Sequence, residues 1–207
     1  MPEDPQILLI ILPILLFSIV LHEMAHGYAA LFGGDPTAKN MGRLTLNPIV
    51  HLDPIWSVAV PAFTLLAGGF FFGMAKPVMY NPQNLRDKKW GEAKVALAGP
   101  AVNIAIAIIF AVAFNILASL GGLSTGVMEA LYLVVVMNLF LAVLNLIPVP
   151  PLDGSKILFA ILPRRMMHIR LFLERYALIV IFALLFILIS TNILGTIVYA
   201  LADMMII

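Results

Sequence analysis

The chain has 207 residues, 62% of them hydrophobic and 11% charged, with a formal net charge of +1. Soluble domains run nearer half apolar and a quarter charged, and mean hydropathy here is +1.06, so the main solvent is lipid. The near-zero charge gives no case for a nucleic-acid partner, and the absence of cysteine removes disulfides and thiolate metal sites.

A bilayer core of about 30 Å needs about 20 apolar residues per helix. The first such stretch runs from Gln6 to Phe32 and stops at Gly33-Gly34-Asp35-Pro36, as glycine and proline should stop a helix. It has no basic leader and carries His22, Glu23 and His26, so it is no ordinary signal peptide. Leu44-Thr45-Leu46 alternates, and the 42–51 segment is a candidate for short strands. The next apolar stretch, Ile55 to Phe72, contains Pro61 and ends among Gly68, Gly69 and Gly73. Such breaks suit a re-entrant segment, tolerated at membrane depth when packed on protein or lining a wet cavity. Further spans are expected from Ala93 to Leu120, Met128 to Ile147 and Leu171 to Ala202, the first two joined by an uncharged turn over 121–126. The expected fold is an all-α polytopic membrane protein of about four to six transmembrane helices. A re-entrant segment or β-hairpin follows its first helix, and residues 1–207 form one membrane-embedded domain.

All twelve basic residues fall in two zones, seven from Lys39 to Lys94 and five from Lys156 to Arg175. Cytoplasmic loops collect Lys and Arg. Both zones are therefore expected on the cytoplasmic side of the cell (plasma or inner) membrane, with the N-terminus outside. Lys156, Arg164, Arg165 and Arg170 are expected to reach anionic headgroups.

The strongest chemical signal is His22-Glu23-Met24-Ala25-His26. Histidines at i and i+4 share one helix face and can reach one zinc ion, and the adjacent glutamate can act as general base on a metal-bound water. A charged group such as Asp at mid-membrane costs roughly 2.5–3.5 kcal/mol on insertion scales, so three ionisable groups in five residues are hard to explain by packing. The bland alternative is a polar cluster that holds spans together. A catalytic zinc takes three protein ligands and leaves a position for water. His51, His168, Asp35, Asp53 and Asp153 are all candidates for the third. Asp153 stands out because Pro148, Pro150 and Pro151 end the preceding span and leave it at the mouth of a new turn. The plain alternative is a helix N-cap.

With these motifs in hand, the chain resembles the site-2 proteases, which are intramembrane zinc metalloproteases. The matching residues are His22-Glu23-Met24-Ala25-His26, Gly99-Pro100-Ala101-Val102-Asn103, and the block holding Asn145, Pro148 and Leu152-Asp153-Gly154. The resemblance runs from the first span to about Ile157. It implies one zinc per chain held by His22, His26 and Asp153, with Glu23 as catalytic base and Asn145 facing the substrate or the oxyanion. It also implies a membrane-embedded hairpin or loop after the first helix. The chain is similar to the short branch without PDZ or CBS domains, and segments 42–48 and 51–54 also look like that branch. His51 and Asn103 are carried as substrate-binding candidates, His51 against the alternative of a satisfied structural histidine. Asn115 and Asn138 read as hydrogen-bonding glue between spans.

The expected function is zinc-dependent hydrolysis of peptide bonds within or near transmembrane segments, with membrane proteins as substrates and the bilayer as environment. The alternative is a metal-binding membrane protein without protease activity, such as a transporter or sensor. Glu23 separates the two, because a transport site needs no carboxylate beside a metal-bound water.

Overall fold

The computed structural model describes residues 5–53, 76–121 and 124–206. Among the described residues, three helices are long and apolar enough to cross a membrane: α1 (Pro5–Phe32, its spanning part Pro13–Phe32), α3 (Gly91–Leu120) and α4 (Thr125–Asn145). At 1.5 Å per residue α3 is about 45 Å long and α4 about 31 Å, enough to cross the hydrocarbon. The predicted boundaries of these three spans agree with the helices to within three residues. Most of their apolar surface points outward, which suits a molecule solvated by lipid.

The end of α1 follows from its glycines. Gly34 has φ 106°, which costs glycine nothing. Its N–H bonds the Leu31 carbonyl at 3.0 Å, and the Asp35 N–H bonds the Ala30 carbonyl at 2.9 Å. These two bonds form a Schellman cap that closes the last turn. The short helix α2 (Thr37–Asn40) follows, then a 3-10 turn at Pro48–His51 and another at Pro82–Asn84. No strand forms among the described residues: Leu44, Thr45 and Leu46 lie in a bend, with the Asn47 side chain capping the 3-10 turn through Ile49 N at 3.1 Å. Three alternating residues are too few to hold a strand against a turn that starts immediately afterwards. The expected re-entrant segment, Ile55–Phe72, lies outside the described residues.

Helices α3 and α4 pack against each other and both pack against α1. After α4 come α5 (Gly154–Ile161), α6 (Met167–Arg175), α7 (Ala177–Thr191) and α8 (Ile193–Met205). The expected single span Leu171–Ala202 is therefore divided twice. It bends by 78° between α6 and α7, and at Asn192 the chain adopts a left-handed conformation with φ 51°. Asparagine is one of the few residues that visits this region readily, and an apolar run hides such a break from hydropathy. Counting α6 and α7 as one bent span gives up to four candidate spans among the described residues. Helix α8 turns back onto the bundle: Leu194, Val198 and Ala202 pack with Ala107 and Ala111 of α3 and Val135, Val136 and Leu139 of α4. The Asn115 Nδ2 donates to the Met205 carbonyl at 2.8 Å, tying α3 to the end of α8.

Candidate metal centre

His22 and His26 lie one turn apart on the buried face of α1, with ring centroids 4.6 Å apart and planes at 85°. Asp153 comes to them from the far side of the sequence. Past Asn145 the chain breaks into tight turns through Pro148, Pro150 and Pro151 and restarts as α5 at Gly154. Gly154 packs directly on the Leu146 and Ile147 carbonyls, leaving no space for a Cβ, so the start of α5 lies against the end of α4. Asp153 occupies the N-cap position of α5, yet its side chain caps nothing. Its Oδ2 lies 3.1 Å from His22 Nε2 and 3.2 Å from His26 Nε2. The two Nε2 atoms are 3.0 Å apart.

Hydrogen bonds at the other ring nitrogens decide where the imidazole protons sit. The Val134 carbonyl can only accept, so Asn138 donates to it through Nδ2 at 2.9 Å, and to Ser18 Oγ at 3.0 Å. Asn138 Oδ1 is then free to accept from Asn103 Nδ2 at 2.9 Å. That turns Asn103 Oδ1 toward His22, whose Nδ1–H donates to it at 2.5 Å. His26 Nδ1–H donates to the Val95 carbonyl at 2.8 Å. A neutral imidazole carries one N–H, so both Nε2 atoms present lone pairs. With Asp153 Oδ2 they make three acceptors facing one another with no donor between them. Such a set repels itself without a cation. Two imidazole nitrogens and a carboxylate oxygen are a zinc donor set that keeps a fourth position open, and a protein acceptor on the remote N–H of each ligating histidine is its usual support. Among the described residues these three side chains form the one such group, with ligand atoms all within 4.8 Å of one another. The residues present fit zinc.

Gly99 supplies the space. A Cβ built there would lie 2.5 Å from His26 Nε2 and 2.6 Å from His22 Nε2. Glu23 is half-buried beside the pair, and its Oε2 accepts the Val78 N–H at 2.7 Å. Asn145 lies near this end of α4, where its Nδ2 donates to the Leu141 carbonyl at 3.0 Å.

The other candidates contribute no ligand atom to this group. Asn103 is fully buried and engaged with His22 and Asn138. His51 is buried outside the group, with Nε2–H donating to the Thr45 carbonyl at 2.9 Å. His168 is exposed on α6. Asp35 is fully buried and accepts from Thr37 Oγ1 at 2.5 Å, Asn81 N at 2.6 Å and Asn84 Nδ2 at 2.8 Å. Burial pushes its carboxyl up, but the bonds from Thr37, Asn84 and Asn81 outweigh that and hold it below the ordinary value. Burial, with Glu92 and Asp153 nearby, pushes the half-buried Tyr80 phenol up to about 12, so it stays protonated beside the centre.

Sequence reasoning missed Ser18, Asn138 and the Val95 carbonyl as supports of the histidines. Asn138 does bridge helices, as glue should, but the polarity of its amide also sets the His22 proton. A polar residue at four-residue spacing from Val134 was the available signal, and it does not say which way an amide points.

The family model for peptidase family M50 matches residues 10–188. The chain is 37% identical over 154 residues to YwhC of Bacillus subtilis, named as a candidate zinc metalloprotease; the match covers 72% of this chain and 67% of YwhC. It is 32% identical over 152 residues to Rip2 of Mycolicibacterium smegmatis, also named as a candidate zinc metalloprotease, covering 67% of this chain and 52% of Rip2. With the zinc metalloprotease MJ0392 of Methanocaldococcus jannaschii it shares 31% identity over 158 residues, 75% of this chain and 35% of that one. The chain thus spans about two thirds of YwhC and about half of Rip2. No solved structure matches it.

Proposed function

The chain belongs to peptidase family M50, and on that premise we propose that it is a zinc-dependent intramembrane endopeptidase cutting within or near the transmembrane segments of membrane proteins. The observation that carries this reading is the convergence of three lone-pair donors, His22 Nε2 and His26 Nε2 on a membrane-crossing helix and Asp153 Oδ2 from the start of α5, with a carboxylate one residue from the first. A bond to be cut there must come to bilayer depth.

His22, His26 and Asp153 would hold one zinc ion per chain. Bound zinc supplies an acidified water and a polarised scissile carbonyl. Glu23 takes the proton of the attacking water and delivers it to the leaving amine. The Val78 N–H bond holds its carboxylate in place for that transfer. Asn145, turned away from the Leu141 carbonyl, donates to the developing oxyanion. Asn103 acts through His22, and His51 holds the 45–51 loop by its bond to Thr45.

The test is Glu23→Gln in the purified chain, assayed on a transmembrane peptide in lipid nanodiscs with zinc measured in parallel. Zinc content should be unchanged, while turnover falls by about 10²–10⁴-fold, the usual contribution of a positioned acid–base group. Turnover equal to wild type removes Glu23 from the mechanism, and a zinc-free wild type removes the metal.

We further propose that the N-terminus and the 121–126 turn lie outside and the basic loops in the cytoplasm. Cysteines introduced at Asn84 and Ser124 should label from opposite sides of the membrane, and labelling from one side would refute that topology.

A further inference from the structure

A cleft of about 440 Å³ opens between the start of α3 and the α5–α6 pair, and its lining includes Lys88, Lys89, Glu92, Lys156, Phe159 and Arg170. Its volume lies in the range of small-ligand sites. Four cations and one carboxylate line it, in a chain whose formal net charge is only +1. The nearby Asp87 does not relieve the imbalance, because it is paired with Lys94 at 2.7 Å. Arg170 gives its Nε–H to Glu174 at 2.9 Å, one of the five N–H donors of a guanidinium.

The cations are also gathered in an unusual way. The Lys156 ammonium lies 6.0 Å from the centre of the Phe159 ring, and the Arg170 guanidinium carbon lies 5.1 Å from it. Two positive groups share one aromatic ring, and among the described residues Lys156 has no carboxylate partner. An anion between them would remove the repulsion that this arrangement carries.

The surroundings say what kind of anion. Helix α6 buries nothing and exposes Met167, Leu171 and Phe172. Helix α7 leaves it at 78° and exposes Leu178, Ile179, Phe182 and Phe186. With α7 in the hydrocarbon, α6 runs across its direction, at the level where an amphipathic helix lies among headgroups. Met167 lines the cleft and is exposed on α6, so the basic cleft is continuous with this apolar surface.

We propose that the cleft is a binding site for the phosphodiester headgroup of an anionic phospholipid, with Lys156 and Arg170 gripping the phosphate beside Phe159 and Lys88 and Lys89 closing on it from the start of α3. The acyl chains lie along the exposed faces of α6 and α7. This site does not depend on the protease reading, and its test needs no turnover.

The purified chain in detergent would be titrated with phosphatidylglycerol or with phosphatidylcholine and the bound lipid counted by native mass spectrometry. One phosphatidylglycerol per chain should be retained in preference to phosphatidylcholine. Basic residues at an anionic lipid surface contribute about fivefold each, so Lys156→Gln with Arg170→Gln should weaken binding by about 25-fold. Lys39→Gln with Lys76→Gln, which removes the same charge from exposed positions outside the cleft, should leave it nearly unchanged. Glu92→Gln, which removes the carboxylate from the lining, should tighten binding, and this arm stands even where the double variant fails to fold. Equal weakening by the two double variants overturns the proposal, as does no gain with Glu92→Gln. Displacement of the lipid by inorganic phosphate at matched concentration assigns the cleft to free phosphate and overturns the lipid.

Discussion

Helix α3 presents one inward stripe at four-residue spacing, Gly99, Asn103, Ala107 and Ala111, and its two halves do different work. The half with Ala107 and Ala111 accepts Leu194 and Val198 of α8 and Val135, Val136 and Leu139 of α4. There, small residues allow helices to approach, and dispersion does the rest, since lipid supplies no hydrophobic drive between helices. The half with Gly99 and Asn103 accepts two imidazoles and the asparagine chain. The same backbone closeness thus serves an apolar seam in one half and a donor-poor polar pocket in the other. A methyl group fits the first at little cost, but in the second it would lie where a metal ion belongs.

That contrast is open to direct attack. The largest effect is expected from Gly99→Ala, whose Cβ would sit 2.5 Å and 2.6 Å from the histidine Nε2 atoms. Ligand displacement of about 1 Å costs on the order of 10²-fold in rate, and zinc content should fall with activity. The opposite exchange in the other half, Ala107→Gly, should cost about 1 kcal/mol of stability by helix propensity and leave zinc content unchanged. Equal zinc loss in both variants, measured by elemental analysis after the same purification, would erase the distinction between the halves.

Asn138→Leu sharpens the comparison by converting the polar half toward the apolar one. Losing the amide frees Asn103 to turn and removes the hydrogen bond that keeps the His22 proton on Nδ1. Outer supports of metal ligands are worth about 10–100-fold in affinity, while interhelical hydrogen bonds contribute only about 0.6 kcal/mol to membrane-protein stability. Zinc affinity should therefore drop far more than thermal stability does. A competition titration showing unchanged affinity would reduce Asn138 to glue.

The smallest effect lies outside both halves, at Asp35. Its folded carboxyl is held below the ordinary value of 3.8. Its contribution to stability is therefore fully present above that value, and it is lost as pH falls through the lower folded value. Thermal unfolding should show wild type the more stable near neutrality and a steeper acid loss in wild type than in Asp35→Asn, so that the gap closes as pH falls. Parallel curves below pH 4 would show that the bonds to Thr37, Asn81 and Asn84 do not favour the ionised form.

Much of the candidate site was legible because its signals are local. Histidines at i and i+4 must share a helix face, and three prolines in four positions must break one. The last apolar run was misread for the converse reason: its bends at Tyr176 and Asn192 carry no glycine or proline, so hydropathy passes over them. The alternation at Leu44–Leu46 was equally local, and there the adjoining 3-10 turn overrode it.

The amino-acid sequence alone determined that the solvent is lipid, that His22 and His26 point the same way, and that the chain turns before Asp153. Tertiary structure alone decided which acidic residue meets the histidines, because the meeting spans 131 positions. It also decided where the imidazole protons lie, through bonds spanning 81, 35 and 120 positions, and it set Lys156 and Arg170 on one ring. Periodicity and helix breakers act over a few residues and can be read along the chain. Hydrogen-bond polarity and charge pairing depend on which groups the packing of separate helices brings face to face.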